Sequence, residues 1–71
     1  MPKVSTALPL FDHEVVERSR RVEQRVGLSR TAIYRLRLRG EFPAPIRLTP
    51  KTIGWRASEV TNWIDERQRV R

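Results

Sequence analysis

The chain has 71 residues and a formal net charge of +7, and arginine supplies thirteen of its fifteen basic residues. A chain this short forms one small domain and has no room for both a core and a deep catalytic pocket. It has no cysteine, one histidine and no stretch near the ~18 apolar residues of a membrane span, which argues against disulfides, metal sites and membrane helices.

No combination of residues indicates catalysis. There is no glycine-rich phosphate loop, no metal-ligand cluster and no histidine placed to work with a carboxylate. We therefore expect a protein that is not an enzyme and needs no cofactor. Residues 1–11 lack a signal-peptide pattern, which favours a cytoplasmic location.

The positive charge lies in the middle of the chain. Residues 18–56 contain eleven basic and two acidic residues, whereas the two ends together contain four basic and six acidic ones. The planar donors of arginine suit phosphates and guanine edges. This distribution favours a nucleic-acid partner, and no long basic amphipathic helix points to a membrane surface.

The N-terminal part is the least regular. Residues 1–11 are predicted to be a flexible tail, and residues 12–71 a single domain. Two interpretations of residues 12–19 stay open. They form either a helical turn capped by Asp12 or a short strand around Val15–Val16.

Two short helices with a tight turn between them are predicted next. Ser19 is suited to cap the first helix, and Gly27 to end it in a left-handed conformation. Ser29 is suited to cap the second helix, which Gly40 ends before Pro43. This order, with a turn centred on residues 27–28, is typical of a helix-turn-helix.

A hairpin and a third helix follow. Ile46 and Leu48 alternate with Arg47, which predicts a strand whose apolar residues face the core. Residues 49–52 are predicted to be its turn and 53–55 the returning strand. Arg47, Lys51 and Thr52 are expected to face outward.

The third helix is predicted from apolar residues at i, i+3 and i+4 within 56–71, with Arg67 and Arg69 near its end. The predicted fold class is therefore mostly α with a small β-hairpin, arranged as a winged helix-turn-helix. Both tryptophans are expected in the core rather than in a base-stacking platform. The predicted core is Val22, Val26, Leu28, Ile33, Leu36, Phe42, Ile46, Leu48, Ile53, Trp55, Val60, Trp63 and Ile64.

Several short motifs follow one another over residues 20–67. They are Gly27-Leu28-Ser29-Arg30, Ile33-Tyr34-Arg35, Gly40-Glu41-Phe42-Pro43, Pro45, Arg47-Leu48, Gly54-Trp55-Arg56, Ser58-Glu59-Val60 and Trp63-Ile64. Together they resemble the AlpA-type phage regulatory proteins, which belong with the MerR-like excisionases, or recombination directionality factors. Arg37 departs from the pattern, since the family usually carries an apolar residue there. Either its stem packs and its head reaches out, or the helix is rotated slightly.

The resemblance implies a protein that binds double-stranded DNA of a mobile element, in the bacterial cytoplasm at the nucleoid. Some family members regulate transcription, and others act as excisionases beside a tyrosine integrase. The resemblance also implies head-to-tail self-association on tandem DNA sites. The residues do not separate regulator from excisionase. A protein–protein adaptor that acts through an integrase or another partner is the alternative.

The second helix carries the predicted DNA-reading face. Steps of 100° per residue from an inward Ile33 place five residues on the opposite half. These are Arg30, Thr31, Tyr34, Arg35 and Leu38. Arg35 is expected to read base edges, preferentially guanine, and Arg30 to bind a base or a phosphate.

Other residues are expected to contact the DNA backbone. Ser29 and Thr31 are placed to hold a phosphate at a helix N-terminus, and Tyr34 either donates its hydroxyl to phosphate or packs half-buried. Arg39 either binds DNA or only complements the helix end. The predicted contacts of the wing are Arg47, Lys51 and Thr52. Leu38 has three open roles: a contact to a thymine methyl, packing under the wing, or contact with a neighbouring protomer.

Overall fold

The computed structural model describes residues 14–70, which contain three helices and three strands. In chain order they are β1 (Val16–Glu17), α1 (Ser19–Val26), α2 (Arg30–Leu38), β2 (Ile46–Thr49), β3 (Thr52–Arg56) and α3 (Ala57–Asp65). The predicted fold class, a helix-turn-helix followed by a hairpin wing and a C-terminal helix, is confirmed. The predicted tail at residues 1–11 and the capping role of Asp12 lie outside the described residues.

The turn between α1 and α2 forms as the sequence predicts. Gly27 has a φ angle of 72°, which glycine adopts without steric cost, and its N–H donates to the Glu23 carbonyl at 2.8 Å. Ser29 then caps α2, because its Oγ accepts a hydrogen bond from the Ala32 N–H at 3.1 Å. Residues 27–29 alone therefore join the two helices.

Gly40 ends α2 in a Schellman motif. Its φ angle is 72°, its N–H donates to the Arg37 carbonyl at 3.0 Å, and the Glu41 N–H donates to the Leu36 carbonyl at 2.8 Å. The Arg37 carbonyl thereby gains a partner at the helix end, where the Leu36 carbonyl also accepts from the Arg39 N–H at 3.2 Å. The chain leaves the helix sharply, and Phe42 enters the core.

The prediction that Ser19 caps α1 was wrong by one residue. Arg18 occupies the N-cap position, and its carbonyl accepts a hydrogen bond from the Val22 N–H at 3.1 Å without help from a capping side chain. Ser19 is already helical, and its hydroxyl donates to the Glu23 carboxylate at 3.2 Å. The cause is β1, because the strand holds the chain extended through Arg18 and the helix begins directly after it.

β3 is the central strand of an antiparallel sheet with the order β1-β3-β2. β2 and β3 form the predicted hairpin, with Ile46 opposite Gly54. β1 pairs with the other edge of β3, where Glu17 lies opposite Trp55. The structure thus adopts the strand alternative for the residues around Val16, because the free edge of β3 offers backbone hydrogen-bond partners.

Two predicted core residues, Ile46 and Leu48, are absent from the core cluster, and Leu48 is 42% exposed. Both belong to the outer face of the sheet. Ile46 pairs with Gly54, and a Cβ placed on Gly54 would lie 2.6 Å from Val16 Cγ1 and 3.2 Å from Leu48 Cδ1. Since Gly54 has no side chain, Val16 and Leu48 close over it from either side. The alternation of apolar residues predicted the strand correctly, but the prediction that these residues face the core was wrong.

The core lies between the helices and the inner face of β3. Its buried residues are Val22, Ile33, Phe42, Trp55 and Val60, with Val26, Leu28, Leu36, Ile53, Trp63 and Ile64 packed around them. The Trp55 indole N–H donates to the Pro43 carbonyl at 2.9 Å, and the Trp63 indole N–H to the Glu41 carbonyl at 2.8 Å. Both tryptophans therefore serve the core, as predicted, with their polar atoms satisfied.

α3 is shorter than predicted, because it ends at Asp65 and leaves Arg67 and Arg69 beyond it. Arg67 still completes the helix end. Its Nε–H donates to the Trp63 carbonyl at 3.0 Å, and its guanidinium lies 4.2 Å from the Trp63 ring centroid.

None of the helices within residues 14–70 has the length and apolar character that a membrane span requires.

Arg25 joins three elements on the side of the domain formed by β1, α1 and α3. Its guanidinium donates to Glu17 Oε1 at 2.7 Å and to Thr61 Oγ1 at 2.6 Å, and it approaches the Ala57 carbonyl at 3.5 Å. The side chains of Arg25 and Glu17 are only 21% and 12% exposed. This arginine is therefore part of the scaffold that holds β1 in place.

Candidate nucleic-acid interface

The exposed side of α2 carries the side chains that the sequence predicted for it. Within the helix Ile33 is buried and Leu36 half-buried, whereas five residues are exposed: Arg30, Thr31, Tyr34, Arg35 and Leu38. The predicted rotation of the helix is therefore correct. Ser29, at the start of α2, is exposed as well. Its Oγ accepts the capping hydrogen bond, which leaves its O–H free to donate outward.

The basic residues of the domain divide into two groups by their partners. Among residues 14–70, five arginines form ion pairs with carboxylates: Arg21, Arg25, Arg39, Arg56 and Arg67. Within the same part of the chain, no ion pair involves five basic residues near α2 and the wing: Arg18, Arg30, Arg35, Arg37 and Lys51. No carboxylate among the described residues pairs with them, so positive charge accumulates on this side of the molecule.

Arg39 and Arg47 differ from the other predicted basic contacts because each donates a hydrogen bond within the described residues. Arg39 Nε lies 3.2 Å from Glu41 Oε1, in a pair whose two side chains are more than half exposed. The Arg47 guanidinium donates to the Pro50 carbonyl at 2.9 Å and so braces the turn of the wing. Exposed pairs of this kind contribute little to stability, and Arg39 remains accessible to another anion.

The wing tip is built by its own backbone and side chains. The Lys51 N–H donates to Thr49 Oγ1 at 3.2 Å, which orders the turn at Pro50. The Lys51 side chain is exposed there, whereas Thr52 is half-buried. The structure thus presents a hydrogen-bonded turn with the Lys51 ammonium group exposed at its end.

A cleft of about 450 Å³ opens between the start of α1, the exposed side of α2 and the wing. Its floor is apolar and consists of Ile33, Ile53 and Trp55. Its rim is polar and basic and consists of Arg18, Ser19, Arg30, Thr31, Tyr34, Arg37 and Lys51. Among residues 14–70, no acidic side chain lines the cleft. Four of the predicted contacts (Arg30, Thr31, Tyr34 and Lys51) therefore border one concave surface.

Three rim residues were not predicted as contacts: Arg18, Ser19 and Arg37. Arg37 is half-buried, and its guanidinium lies 5.8 Å from the Tyr34 ring centroid at the rim of the cleft. Of the two sequence alternatives for Arg37, the packed stem with an outward head is the one observed. Arg18 lies before α1 in the chain, so only the tertiary fold brings it to α2.

Leu38 is 69% exposed at the end of α2. Of its three predicted roles, packing under the wing was wrong, because such an exposed side chain is not covered by β2 or β3. The other two roles concern molecules outside this chain.

Among residues 14–70 no group of three or more histidine, cysteine, aspartate or glutamate side chains could hold a metal ion.

Comparison with known proteins identifies the family. The sequence model described as prophage CP4-57 regulatory protein (AlpA) matches residues 16–68. The uncharacterized protein ORF88 of Enterobacteria phage P4 is 42% identical over 57 residues, which are 80% of this chain and 65% of the phage protein. The aligned part of the chain thus spans just under two thirds of the length of that relative. Because the family match covers well over half of the 71 residues, from β1 to beyond α3, this chain belongs to the AlpA family of prophage regulatory proteins.

Proposed function

We propose that this protein is a double-stranded DNA-binding regulator of a mobile genetic element. The observation that carries the proposal is a set of cations that form no ion pair within residues 14–70 and lie on one side of the domain, next to the exposed face of α2. In helix-turn-helix proteins the second helix enters the major groove, and the wing follows the backbone or a minor groove. The regulatory description of the family supports the same function.

The residues of α2 divide between reading bases and holding phosphates. Arg35 is exposed in the middle of the helix and forms no ion pair with any described residue, so we assign it to base edges, preferentially guanine. Arg30 contacts a base or a phosphate. Ser29 and Thr31 donate to a phosphate at the helix N-terminus, and Tyr34 donates its hydroxyl to a neighbouring phosphate.

The wing supplies sequence-independent contacts. Lys51 and Thr52 lie at the tip and contact the backbone, and Arg47 holds the turn while its remaining donors face solvent. Arg39 has the weakest case among the assigned residues, because its contact with DNA competes with Glu41.

Selection from a pool of random duplexes, followed by anisotropy titrations, tests the proposal. Wild-type protein is expected to enrich a short sequence, and its affinity for that sequence is expected to fall steeply as salt rises, because phosphate contacts release counterions. Lys51→Ala is expected to weaken binding to all duplexes equally and to lower the salt slope by about one. A protein that enriches no sequence and binds no duplex at low salt would contradict the proposal.

Two roles on DNA are compatible with this surface. As a transcriptional regulator the protein binds across a promoter, and as an excisionase or recombination directionality factor it binds repeats within an attachment site. Footprinting on the DNA of the element that encodes the protein separates them by the position of the protected bases. Protection of both regions would assign both roles.

Partners other than DNA belong to the same proposal. One small domain reads few base pairs, so we infer that copies associate head to tail on tandem sites, with the exposed Leu38 available beside the DNA face. A tyrosine integrase is the expected partner in excision. The alternative is an adaptor that acts mainly through the integrase. Sedimentation with tandem-site DNA, with integrase and with neither tests each association separately.

A further inference from the structure

We infer that the cleft between α1, α2 and the wing is a phosphodiester-binding site, in which Arg18, Arg37 and Lys51 hold the backbone of one DNA strand. The inference rests on the proposed function, because it states which part of the DNA the cleft binds. It adds Arg18 and Arg37 to the interface and gives the unusual arginine at position 37 a role.

The charge of the cleft fits a phosphate. Its rim contains four cationic side chains, Arg18, Arg30, Arg37 and Lys51, and no acidic residue in the described part of the chain lines it. None of the four is ion-paired to a carboxylate within residues 14–70. Like charges that converge without an internal counter-ion repel one another, so an anion placed among them relieves that repulsion.

Hydroxyl groups complete the coordination that a phosphate needs. Ser19, Thr31 and Tyr34 border the cleft beside the cations, and each carries an O–H that can donate to a phosphate oxygen. The floor of Ile33, Ile53 and Trp55 offers no charged group, which suits the apolar faces of a deoxyribose. The basic rim therefore suits the phosphate of a DNA backbone unit, and the apolar floor suits its sugar.

Arg37 is held in place before DNA arrives. Its side chain is half-buried, and its guanidinium lies over the Tyr34 ring at 5.8 Å from the centroid. A guanidinium that packs on an aromatic ring loses less conformational freedom when it binds than a free one does. At Arg18 only the backbone is fixed, as the N-cap of α1 directly after β1, and the side chain is exposed.

The position of the cleft selects DNA as the source of the phosphate. Arg30, Thr31 and Tyr34 belong both to the rim of the cleft and to the exposed face of α2. A duplex that presents its major groove to α2 therefore passes its flanking backbone over the cleft. Lys51 on the wing closes the opposite side of that path.

Salt titrations of single variants test the inference. Arg18→Ala, Arg37→Ala and Lys51→Ala are each expected to weaken binding of selected and random duplexes by the same factor and to lower the salt slope by about one. Arg37→Lys keeps the charge and is expected to retain the wild-type slope. Arg21→Ala is the matched control, since Arg21 lies on α1 but outside the cleft and already pairs with Glu17.

Neutral phosphates locate the contact. Methylphosphonates placed one at a time along the selected duplex are expected to weaken wild-type binding strongly at one or two flanking positions. At those positions Arg37→Ala is expected to lose less affinity than wild type when the phosphate is neutralised, because part of the interaction has already been removed while Arg18 and Lys51 remain. Thermal melting of each variant confirms that it is folded.

Two results overturn the inference in distinguishable ways. If Arg18→Ala and Arg37→Ala keep the wild-type salt slope while wild-type protein binds its selected duplex, the cleft is not the phosphate site and the proposed function stands. If wild-type protein binds no duplex, the proposed function fails and the inference fails with it.

Discussion

The Arg37 guanidinium lies 5.8 Å from the centroid of the Tyr34 ring, on the exposed side of α2 and at the rim of the basic cleft. The two residues are three positions apart, so they are neighbours on one helix face. Tyr34 is 53% exposed, and its ring therefore supports Arg37 while its hydroxyl still reaches solvent. This pair links a residue assigned to DNA contact with one that stands where the family usually carries an apolar side chain.

Two substitutions of Tyr34 separate the hydroxyl from the ring. Tyr34→Phe is expected to lower DNA affinity by about 1 kcal/mol, roughly fivefold, because one hydrogen bond to phosphate is lost. Tyr34→Ala is expected to cost about 0.5–1 kcal/mol more, because Arg37 loses its aromatic support. Anisotropy titrations at one salt concentration measure both. Wild-type affinity in Tyr34→Phe, with a lowered melting temperature in Tyr34→Ala, would instead assign Tyr34 to packing.

Ser29 has two roles that one pair of substitutions can divide. Ser29→Ala removes the cap on the Ala32 N–H and is expected to cost about 0.5–2 kcal/mol of stability. Ser29→Asp keeps a capping oxygen and is expected to remain close to wild-type stability while it weakens DNA binding at least tenfold, since a carboxylate faces the phosphates. Chemical denaturation and anisotropy are the two measurements. A Ser29→Asp protein that binds DNA as tightly as wild type would place the helix N-terminus away from the backbone.

Gly54 is expected to tolerate no larger residue. A Cβ at this position would lie 2.6 Å from Val16 Cγ1 and 3.1 Å from the Glu17 carbonyl oxygen, so Gly54→Ala displaces β1 and should cost about 1–3 kcal/mol. Thermal melting measures this loss of stability. Adding Val16→Ala removes the nearest atom, so the double variant should lose less stability than the sum of the single ones. Additive losses would show that β1 does not close over the glycine.

Arg25 and Arg21 are expected to differ although both lie on α1 and pair with Glu17. Arg25→Ala should destabilise the domain by about 1–3 kcal/mol, because it leaves the largely buried Glu17 carboxylate without its close partner and removes the bond to Thr61. Arg21→Ala should cost less than about 0.5 kcal/mol, since that side chain is 64% exposed and its pair is 3.9 Å long. Urea denaturation measures both. Equal losses would contradict the structural role of Arg25.

The elements that depend on local signals were predictable from the sequence. Gly27 and Gly40 marked the helix ends because a left-handed residue is needed there, and Ser29 marked the start of α2 because a free N–H must be satisfied. The exposed face of α2 followed from Ile33 alone, because helical geometry fixes the remaining directions.

The features that depend on tertiary contacts were missed. β1 forms only because β3 offers a free edge, and its presence moved the start of α1 to Ser19. Leu48 faces outward because Gly54 leaves a space there, which the strand pattern does not reveal. Arg18 reaches the cleft across the fold, so no spacing within the helix-turn-helix pointed to it.

The most direct test of whether α2 reads DNA sequence is the ratio of affinities for the selected duplex and a random duplex. This ratio is measured for wild type and Arg35→Ala at the same salt concentration. Arg35 is exposed, carries no ion pair within residues 14–70 and supports none of the described packing. The ratio is expected to fall roughly 5- to 150-fold, because a bidentate contact to a base edge is lost. This corresponds to a loss of about 1–3 kcal/mol in the binding free energy that separates the two duplexes. An unchanged ratio in a folded Arg35→Ala protein would contradict the assignment of α2 as the recognition helix.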